Sequence, residues 1–414
     1  MTTAHGMDQA EPASIAAAPA TPRWTERSGL GFVVLFGVVG LFADFAYEGG
    51  RSILGPYLAT LGASGLVVGS IAGLGELLGY VVRLASGRLA DRSCRYWPIT
   101  LIGYFVQLPA VPALALAMNW PVAAGLIVAE RAGKGTRNPP RDVMLAAAGE
   151  HLGQGWAFGV YEALDQAGAL LGPLAVAGVL AATANAYHIA FAVLALPVAV
   201  TLAILLRLRM RYPDAGVIAP PEAAGAFRYP PAFWWYAVGA AAVAFGFADY
   251  PLISYHFARA GTVSGPWVPI FYALAMGAGG IGSLVFGKVF DRFGLVILAP
   301  VTAAVAVYAP LVFFGGFAAA LVGAVLWGVG LGAHESLMSA AVATMIPVER
   351  RGGAYGLFTA LFGIAWCVGS VAEGALYDVS IKALVALVVV AQLAGIFPIV
   401  KACSLPRSDR GPTA

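Results

Sequence analysis

Apolar runs, most of them near the roughly 20 residues that a helix needs to cross a bilayer, follow one another from residue 29 to residue 402, with glycine, proline or charge between them. This punctuation predicts twelve helical spans, over 29–59, 65–87, 97–117, 121–148, 155–181, 186–207, 232–258, 266–287, 295–314, 316–346, 353–377 and 381–402. The longest polar stretch, "RLRMRYPDAGVIAPPEAAGAFRYPP" at 207–231, falls between the sixth span and the seventh. The pattern reads as an all-α integral membrane protein of two six-helix bundles, 29–207 and 232–402, joined by a linker over 208–231. Residues 1–28 are rich in Ala, Pro and Thr, and acids rather than lysines precede their longest apolar run, "IAAAPA". They read as a disordered tail and not as a signal peptide, with a second tail at 403–414.

Charge content agrees. Only 11% of the 414 residues are charged and 60% are hydrophobic, against about 25% charged in a soluble domain. The 52 glycines suit helices whose backbones approach closely in lipid. Placing both termini in the cytoplasm puts sixteen of the 24 Lys and Arg residues in inside segments and only Arg259 and Lys382 outside, the bias expected of cytoplasmic loops. The remaining six, Arg51, Arg83, Arg131, Lys134, Arg137 and Arg141, lie within the spans. No basic run points to nucleic acid. Cys94, Cys367 and Cys403 are far apart and lack CxxC spacing, so neither a zinc site nor a disulfide framework is indicated. In "GKGTR" the phosphate-loop spacing fails, because Val128 stands where the first Gly is required and Gly135 follows Lys134. No cofactor or ATP hydrolysis is implied, and energy is expected from an ion gradient.

The two halves resemble each other. "GRLADR" (87–92) follows the second span and "GKVFDR" (287–292) the eighth, an offset of 200. "FAD" recurs at 42–44 and 247–249, and "GKG" at 133–135 matches "GLG" at 330–332. Such ordered matches point to a duplicated six-helix unit. With these motifs the chain resembles the major facilitator superfamily over all twelve spans. That family's loop signature G-x-L-a-D-R-x-G-R appears as "GRLADRSCR", Gly87 to Arg95, with Cys94 replacing a Gly; its R-x-x-x-G signature appears as Arg131 to Gly135. Its antiporter signature, G-x8-G-x3-G-P-x2-G-G, is met by Gly159, Gly168, Gly172 and Pro173 and then fails at Val176 and Ala177. The resemblance implies a transporter and no enzyme, working by alternating access, and the partial signature tilts it toward drug/proton antiport. It also implies a cytoplasmic gate at Gly87, Asp91, Arg92, Gly287, Asp291 and Arg292, where the aspartates would latch one conformation. The alternative for these loops is topological anchoring by positive charge.

Ionisable residues inside spans are costly and therefore candidates for function. Asp44, Glu48 and Arg51 line one stripe of the first helix, Glu76 and Arg83 lie on the second, and Glu162 and Asp165 on the fifth. The second half offers fewer: Asp249, His256, His334, Glu335 and Glu373. The polar side of a central cavity is expected to come mostly from the first half. On the fourth helix, Arg131, Lys134, Arg137 and Arg141 fall within an arc of about 120° at 100° per residue. Such a row belongs against the inter-half cavity rather than lipid, with Asn138, Pro139 and Pro140 kinking, unwinding or ending the helix beside it. The row either contacts substrate and tunes a carboxylate, or builds a structural ion-pair network.

Proton coupling is assigned to Asp44, Glu48, Glu162, Asp165 and Asp249, since a carboxylate in an apolar cavity can load and release a proton near neutrality. The cavity set is Arg51, Glu76, Arg83, Arg131, Lys134, Arg137, Arg141, His334, Glu335 and Met338. His334 and Met338 have soft-ligand spacing, but no Cys or second His joins them, so polar lining is expected and no metal. Trp156, Tyr161, Trp234, Trp235, Tyr250 and Trp327 serve as pocket lining, packing or interface belts. The partners expected are a small-molecule substrate, protons and the lipid bilayer, for a monomer in a bacterial inner membrane. The overall reading is a proton-coupled exporter of small amphipathic solutes, with a proton symporter importing a charged metabolite or metal ion as the alternative.

Overall fold

The structure, a computed structural model, describes residues 24–150, 152–215, 228–347 and 350–405; the side chains of Gln154, Asp291, residues 335–340, Ala343 and Gly352 lie outside that description. Sixteen α-helices occupy the described residues. The first half holds α1 (Glu26–Ser52), α2 (Leu54–Thr60), α3 (Gly65–Ser93), α4 (Tyr96–Ala113), α5 (Trp120–Ala148), α6 (Gln154–Ala182), α7 (Tyr187–Val193) and α8 (Ala195–Arg211). The second holds α9 (Pro231–Phe245), α10 (Tyr250–Ala260), α11 (Trp267–Phe293), α12 (Leu298–Val305), α13 (Tyr308–Phe314), α14 (Phe317–Met345), α15 (Arg351–Val379) and α16 (Ile381–Cys403). Eleven stretches among the described residues are long and apolar enough to cross a membrane, so this is a multi-pass membrane protein. α5 is not among them; its 29 residues suffice in length, but it carries the cation row.

Side-chain caps start several helices where the sequence changes from turn to apolar run. Thr25 and Ser28 form a capping box on α1, Ser64 accepts from Val67 N at the start of α3, and Asn119 accepts from Val122 N at the start of α5. Of the outcomes expected beside Asn138, unwinding and ending do not occur: α5 continues through Pro139 and Pro140 to Ala148. Pro139 has no N–H to give the carbonyl four residues back, Gly135. The Ser86 hydroxyl on α3 donates to that carbonyl at 3.0 Å, which satisfies the group the proline frees and removes the need for a break.

Each half has its own apolar core. One is built on Phe32, Phe36, Tyr104, Met144 and Phe191, the other on Phe233, Tyr236, Phe271, Tyr308 and Trp327. The same close contacts recur in both. A Cβ on Gly135 would lie 2.6 Å from the Gly79 carbonyl, and one on Gly332 would lie 2.2 Å from that of Gly279. Ser283 donates to the Gly332 carbonyl at 2.9 Å, as Ser86 does to Gly135. Gly172 and Gly369 each approach a carbonyl, of Phe45 and Phe245, so closely that a Cβ would sit 2.1 Å away.

The halves meet tightly at one end. Gly65, Gly69 and Gly73 of α3 abut Gly374, Ser370 and Cys367 of α15, and the Asp378 carboxylate accepts from Gly65 N and Leu66 N, both at 2.8 Å. That side chain caps α3 from across the molecule. Gly265, 200 residues after Gly65, meets Asn185 in the corresponding contact of the other pair of helices. Gly55 of α2 is pressed on Pro251 of α10, and the Tyr255 hydroxyl donates to the Ala63 carbonyl at 2.9 Å.

Candidate functional site

Below the closed end, α1, α3, α5 and α6 face α11, α14 and α15 across a cavity of about 490 Å³, within the size range of small-molecule sites. Its first-half wall carries Asp44, Tyr47, Glu48, Arg51, Glu76, Arg83, Arg131, Lys134, Glu162 and Asp165. The second-half wall is Tyr272, Met276, Leu331, His334, Phe358, Phe362 and Trp366. The cavity therefore has a charged side and a largely aromatic side. It reaches solvent where Arg83 and Glu162 are exposed.

Helical spacing explains the charged wall. On α1, Asp44, Tyr47, Glu48 and Arg51 project from successive turns of one face. Arg131 joins that face from α5: its Nη1 meets Glu76 Oε1 at 2.8 Å and donates to the Tyr47 hydroxyl. Arg51 reaches the same Glu76 oxygen at 3.4 Å and the Tyr47 hydroxyl at 3.2 Å. Lys134 lies over the Tyr47 ring, 3.6 Å from its centroid, a cation–π contact strengthened where water is excluded. Among the described residues, Lys134, Glu48, Glu162 and Asp165 have no ion pair within 4.0 Å.

Two contacts cross from one half to the other at the head of the cavity. Arg51 Nη2 pairs with Asp249 Oδ1 at 2.8 Å, and the Tyr272 hydroxyl donates to Glu48 Oε2 at 2.5 Å. Asp249 sits where the seventh apolar span is interrupted between α9 and α10, and its Oδ1 also caps α10 by accepting from Tyr250 N at 2.8 Å. The Gly246 carbonyl freed by the interruption accepts from Gln392, and the Ala248 amide and carbonyl bond Tyr308 and Trp327.

The cation row divides. Arg131 and Lys134 line the cavity, whereas Arg137 and Arg141, placed there by helical arc alone, do not. Arg137, 1% exposed, turns into the first half. There it donates to Gln107 at 2.5 Å and Tyr104 at 2.8 Å, and lies 3.6 Å from Asp44. Arg141 bonds Asp142 at 2.7 Å and Tyr161 at 2.8 Å. At 100° per residue Arg141 falls within about 20° of Lys134, so depth along α5 and not its side sends Arg131 and Lys134 to the cavity and Arg137 and Arg141 into the bundle interior.

Other expected site residues fall as follows. Glu76, Arg83 and His334 line the cavity; both His334 nitrogens and Trp366 Nε1 are buried without a hydrogen-bond partner among the described residues. The side chains of Glu335, Met338 and Asp291 lie outside the described residues. Gly168 and Gly172 serve close packing, with a Cβ on either lying 2.1 Å from the Leu41 or Phe45 carbonyl of α1; Gly159 borders open space, and Pro173 sits inside α6. At the loop motifs, Asp91 has no ion pair among the described residues, while Arg92 and Arg292 are exposed. Gly87 faces Pro139 and Gly287 borders open space. Cys94, which replaces the motif's glycine, and Gly294 both end their helices at positive φ.

Sequence reasoning missed Tyr47, Tyr104, Gln107, Tyr272 and Glu130, whose buried carboxylate lies 3.4 Å from Arg131 and accepts from Gln107 at 3.5 Å, although the rule that a membrane-buried charge needs a polar neighbour could have raised them. Of the aromatics it offered as pocket lining, packing or interface belts, none lines the cavity. Trp156, Trp234 and Trp235 are exposed, while Tyr161, Tyr250 and Trp327 are buried in the cores.

Comparison with known proteins agrees with this arrangement. The profile of the Major Facilitator Superfamily matches residues 36–370. The chain is 42% identical over 369 residues to an uncharacterized protein of Mycobacterium tuberculosis, covering 87% of this chain and 90% of that one. An uncharacterized MFS-type transporter of Methanocaldococcus jannaschii is 30% identical over 141 residues, 34% of this chain and 35% of its own. Among solved structures, the nucleoside transporter NupG superposes with a TM-score of 0.70 at 12% identity, covering 91% of this chain and all of the other. A POT family transporter in complex with 5-aminolevulinic acid gives 0.72 at 13%, with 90% and 95% covered. Two internally similar helical halves around a charged central cavity, together with a profile match over most of the sequence, place this chain in the Major Facilitator Superfamily, a family of transporters.

Proposed function

We propose that the chain is a proton-coupled secondary antiporter that exports a small amphipathic organic solute by alternating access. In this reading α5 is a twelfth membrane span, both termini are cytoplasmic, and the protein works as a monomer in a bacterial inner membrane. The observation that carries it is the two-sided cavity: unpaired carboxylates and Lys134 on one wall, Phe358, Phe362 and Trp366 on the other. A solute with one charged and one apolar face fits between them. Asp44 is the leading proton carrier, with Glu48, Glu162, Asp165 and Asp249 as further members of the set. The partial antiporter signature supports export. The loop motifs at Gly87–Arg92 and Gly287–Arg292 are assigned to the cytoplasmic gate.

The substrate is found first, by comparing metabolites accumulated in cells with and without the protein. Right-side-out and everted vesicles with an imposed pH gradient then report direction. Antiport predicts that this solute moves against the proton flow, and movement with it removes the antiport reading. A second reading, proton symport of an anionic metabolite, draws on Lys134, a cavity cation with no carboxylate within 4.0 Å; co-directional movement is its signature.

A further inference from the structure

At one end of the first half, three arginines gather where α4 begins and α8 ends. Arg95 stands at the N-cap of α4, and Arg209 and Arg211 lie in the last turn of α8. Trp97 fastens the two ends together, its Nε1 donating to the Tyr212 carbonyl at 2.9 Å. Arg209 lies over the Trp97 ring, 5.9 Å from its centroid, and Arg211 over the Tyr212 ring at 5.8 Å, both within the reach of a cation–π contact. Arg209 Nη1 also donates to the Pro213 carbonyl at 3.2 Å. Asp91 and Asp214 are close in sequence, yet among the described residues no carboxylate lies within 4.0 Å of any of the three arginines. No side chain caps the first turn of α4, and the positive end of that helix adds to the same field.

The surface beside these charges is apolar. Ile102 and Phe105 of α4 and Leu206 and Met210 of α8 are all exposed, and in a chain that spans a membrane such side chains meet acyl chains. Trp24 stacks on Tyr212 with ring centroids 5.9 Å apart, so that aromatic rings ahead of α1, ahead of α8's end and within the first turn of α4 surround the arginines, at the depth where such rings meet headgroups. The second half does not repeat the arrangement. At the loop motifs' offset of 200, Leu295 and Ile297 stand where Arg95 and Trp97 do. Positive charge spread evenly over one side of the membrane would orient the spans without building such a corner.

We propose that this corner of α4 and α8 binds an anionic phospholipid, its phosphate held by Arg95, Arg209 and Arg211 and its acyl chains lying along the exposed apolar faces of the two helices. A phosphate offers several acceptor oxygens to the fork of N–H donors on each guanidinium. A zwitterionic lipid brings a cation of its own into a cluster that already lacks anions, so the site prefers a headgroup with net negative charge. The adjoining apolar faces favour a lipid over free phosphate. None of the three arginines lines the central cavity, so this is a second site. It braces α4 against α8, and α4 carries Tyr104 and Gln107, which hold Arg137.

The full-length chain, purified in detergent and stripped of lipid, is titrated with phosphatidylglycerol and with phosphatidylcholine of the same chains, and bound lipid is counted by native mass spectrometry. The site predicts a phosphatidylglycerol adduct several-fold tighter than the phosphatidylcholine one, and no displacement by inorganic phosphate at the same concentration. Arg95→Gln combined with Arg209→Gln should weaken that adduct about five-fold for each arginine lost. Lys288→Gln combined with Lys401→Gln, two exposed cations of the second half, should leave it unchanged. Equal affinity for the two lipids, equal loss in the two double variants, or displacement by phosphate overturns the proposal. A second measurement keeps the arginines native and decides even where the arginine variant does not fold. Bimane is attached at Leu206→Cys or, on α16, at Phe397→Cys, both exposed positions, with Cys94, Cys367 and Cys403 replaced by Ser. In mixed nanodiscs, quenching by phosphatidylglycerol with brominated chains, divided by quenching by brominated phosphatidylcholine, should be several-fold higher on α8 than on α16, and equal ratios contradict the site. Neither measurement needs solute or a gradient, so the direction of transport does not bear on the outcome.

Discussion

At the scale of single residues, burial and partner chemistry separate two kinds of cation on one helix. Arg137 is enclosed by Tyr104, Gln107 and Asp44, so Arg137→Ala strips a counter-charge from a buried carboxylate. Breaking such a pair costs about 3–5 kcal/mol, and the variant should lose folded protein in a detergent thermal-melt assay. Lys134 faces the cavity. Lys134→Gln should melt within a few degrees of the native chain yet lose transport in vesicles; a large drop in melting temperature would make Lys134 a structural residue like Arg137. Asp44→Asn should abolish gradient-driven accumulation and leave counterflow exchange intact, and unchanged pumping would move the proton site elsewhere in the carboxylate set. These opposite roles were hidden in the sequence, where the four cations share one arc. Periodicity gives the side of a helix, but not which depth of that side meets a cavity.

Elements show more of what sequence makes legible. Apolar runs with their punctuation, and the repeat offset of about 200, anticipate most of the observed helices, because each is read from the chain alone. The failure at Asn138–Pro140 was of another kind. Whether two prolines break a helix depends on who satisfies the freed carbonyls, and Ser86, 53 positions from Pro139, is not a local signal. Ser86→Ala should therefore destabilise α5 against α3 by about 1–3 kcal/mol, and less in a Pro139→Ala background, where the helix regains its own amide donor. Equal costs in both backgrounds would refute the compensation. The glycine contacts give a paired test: Gly172→Ala and Gly369→Ala each place a methyl 2.1 Å from a carbonyl. Both should sharply reduce folded yield, whereas Gly178→Ala, which meets no atom within 4 Å, should not.

For the whole molecule, the division into a charged half and an aromatic half sets what the cavity can hold and how it can move. The sequence showed the asymmetry of charge between the halves, since intramembrane ionisable residues are countable. It did not show the aromatic wall of Phe358, Phe362 and Trp366, because those residues are indistinguishable from packing until α15 is placed opposite α1. Contacts at the closed end are mainly glycine approaches, one helix capped from across the interface and one ion pair, an interface that can separate without exposing a large apolar core. The central claim is that this one cavity is the transport path and opens alternately to the two sides of the membrane. It is tested most directly with Met276→Cys, on the cavity wall, in a chain whose three native cysteines are replaced, by measuring the rate of labelling with a membrane-impermeant maleimide from each face. Fast labelling from the cytoplasmic face at rest, with labelling from the opposite face gained under a proton gradient and solute, is the predicted result; no labelling from either face, or from one face under every condition, would contradict it.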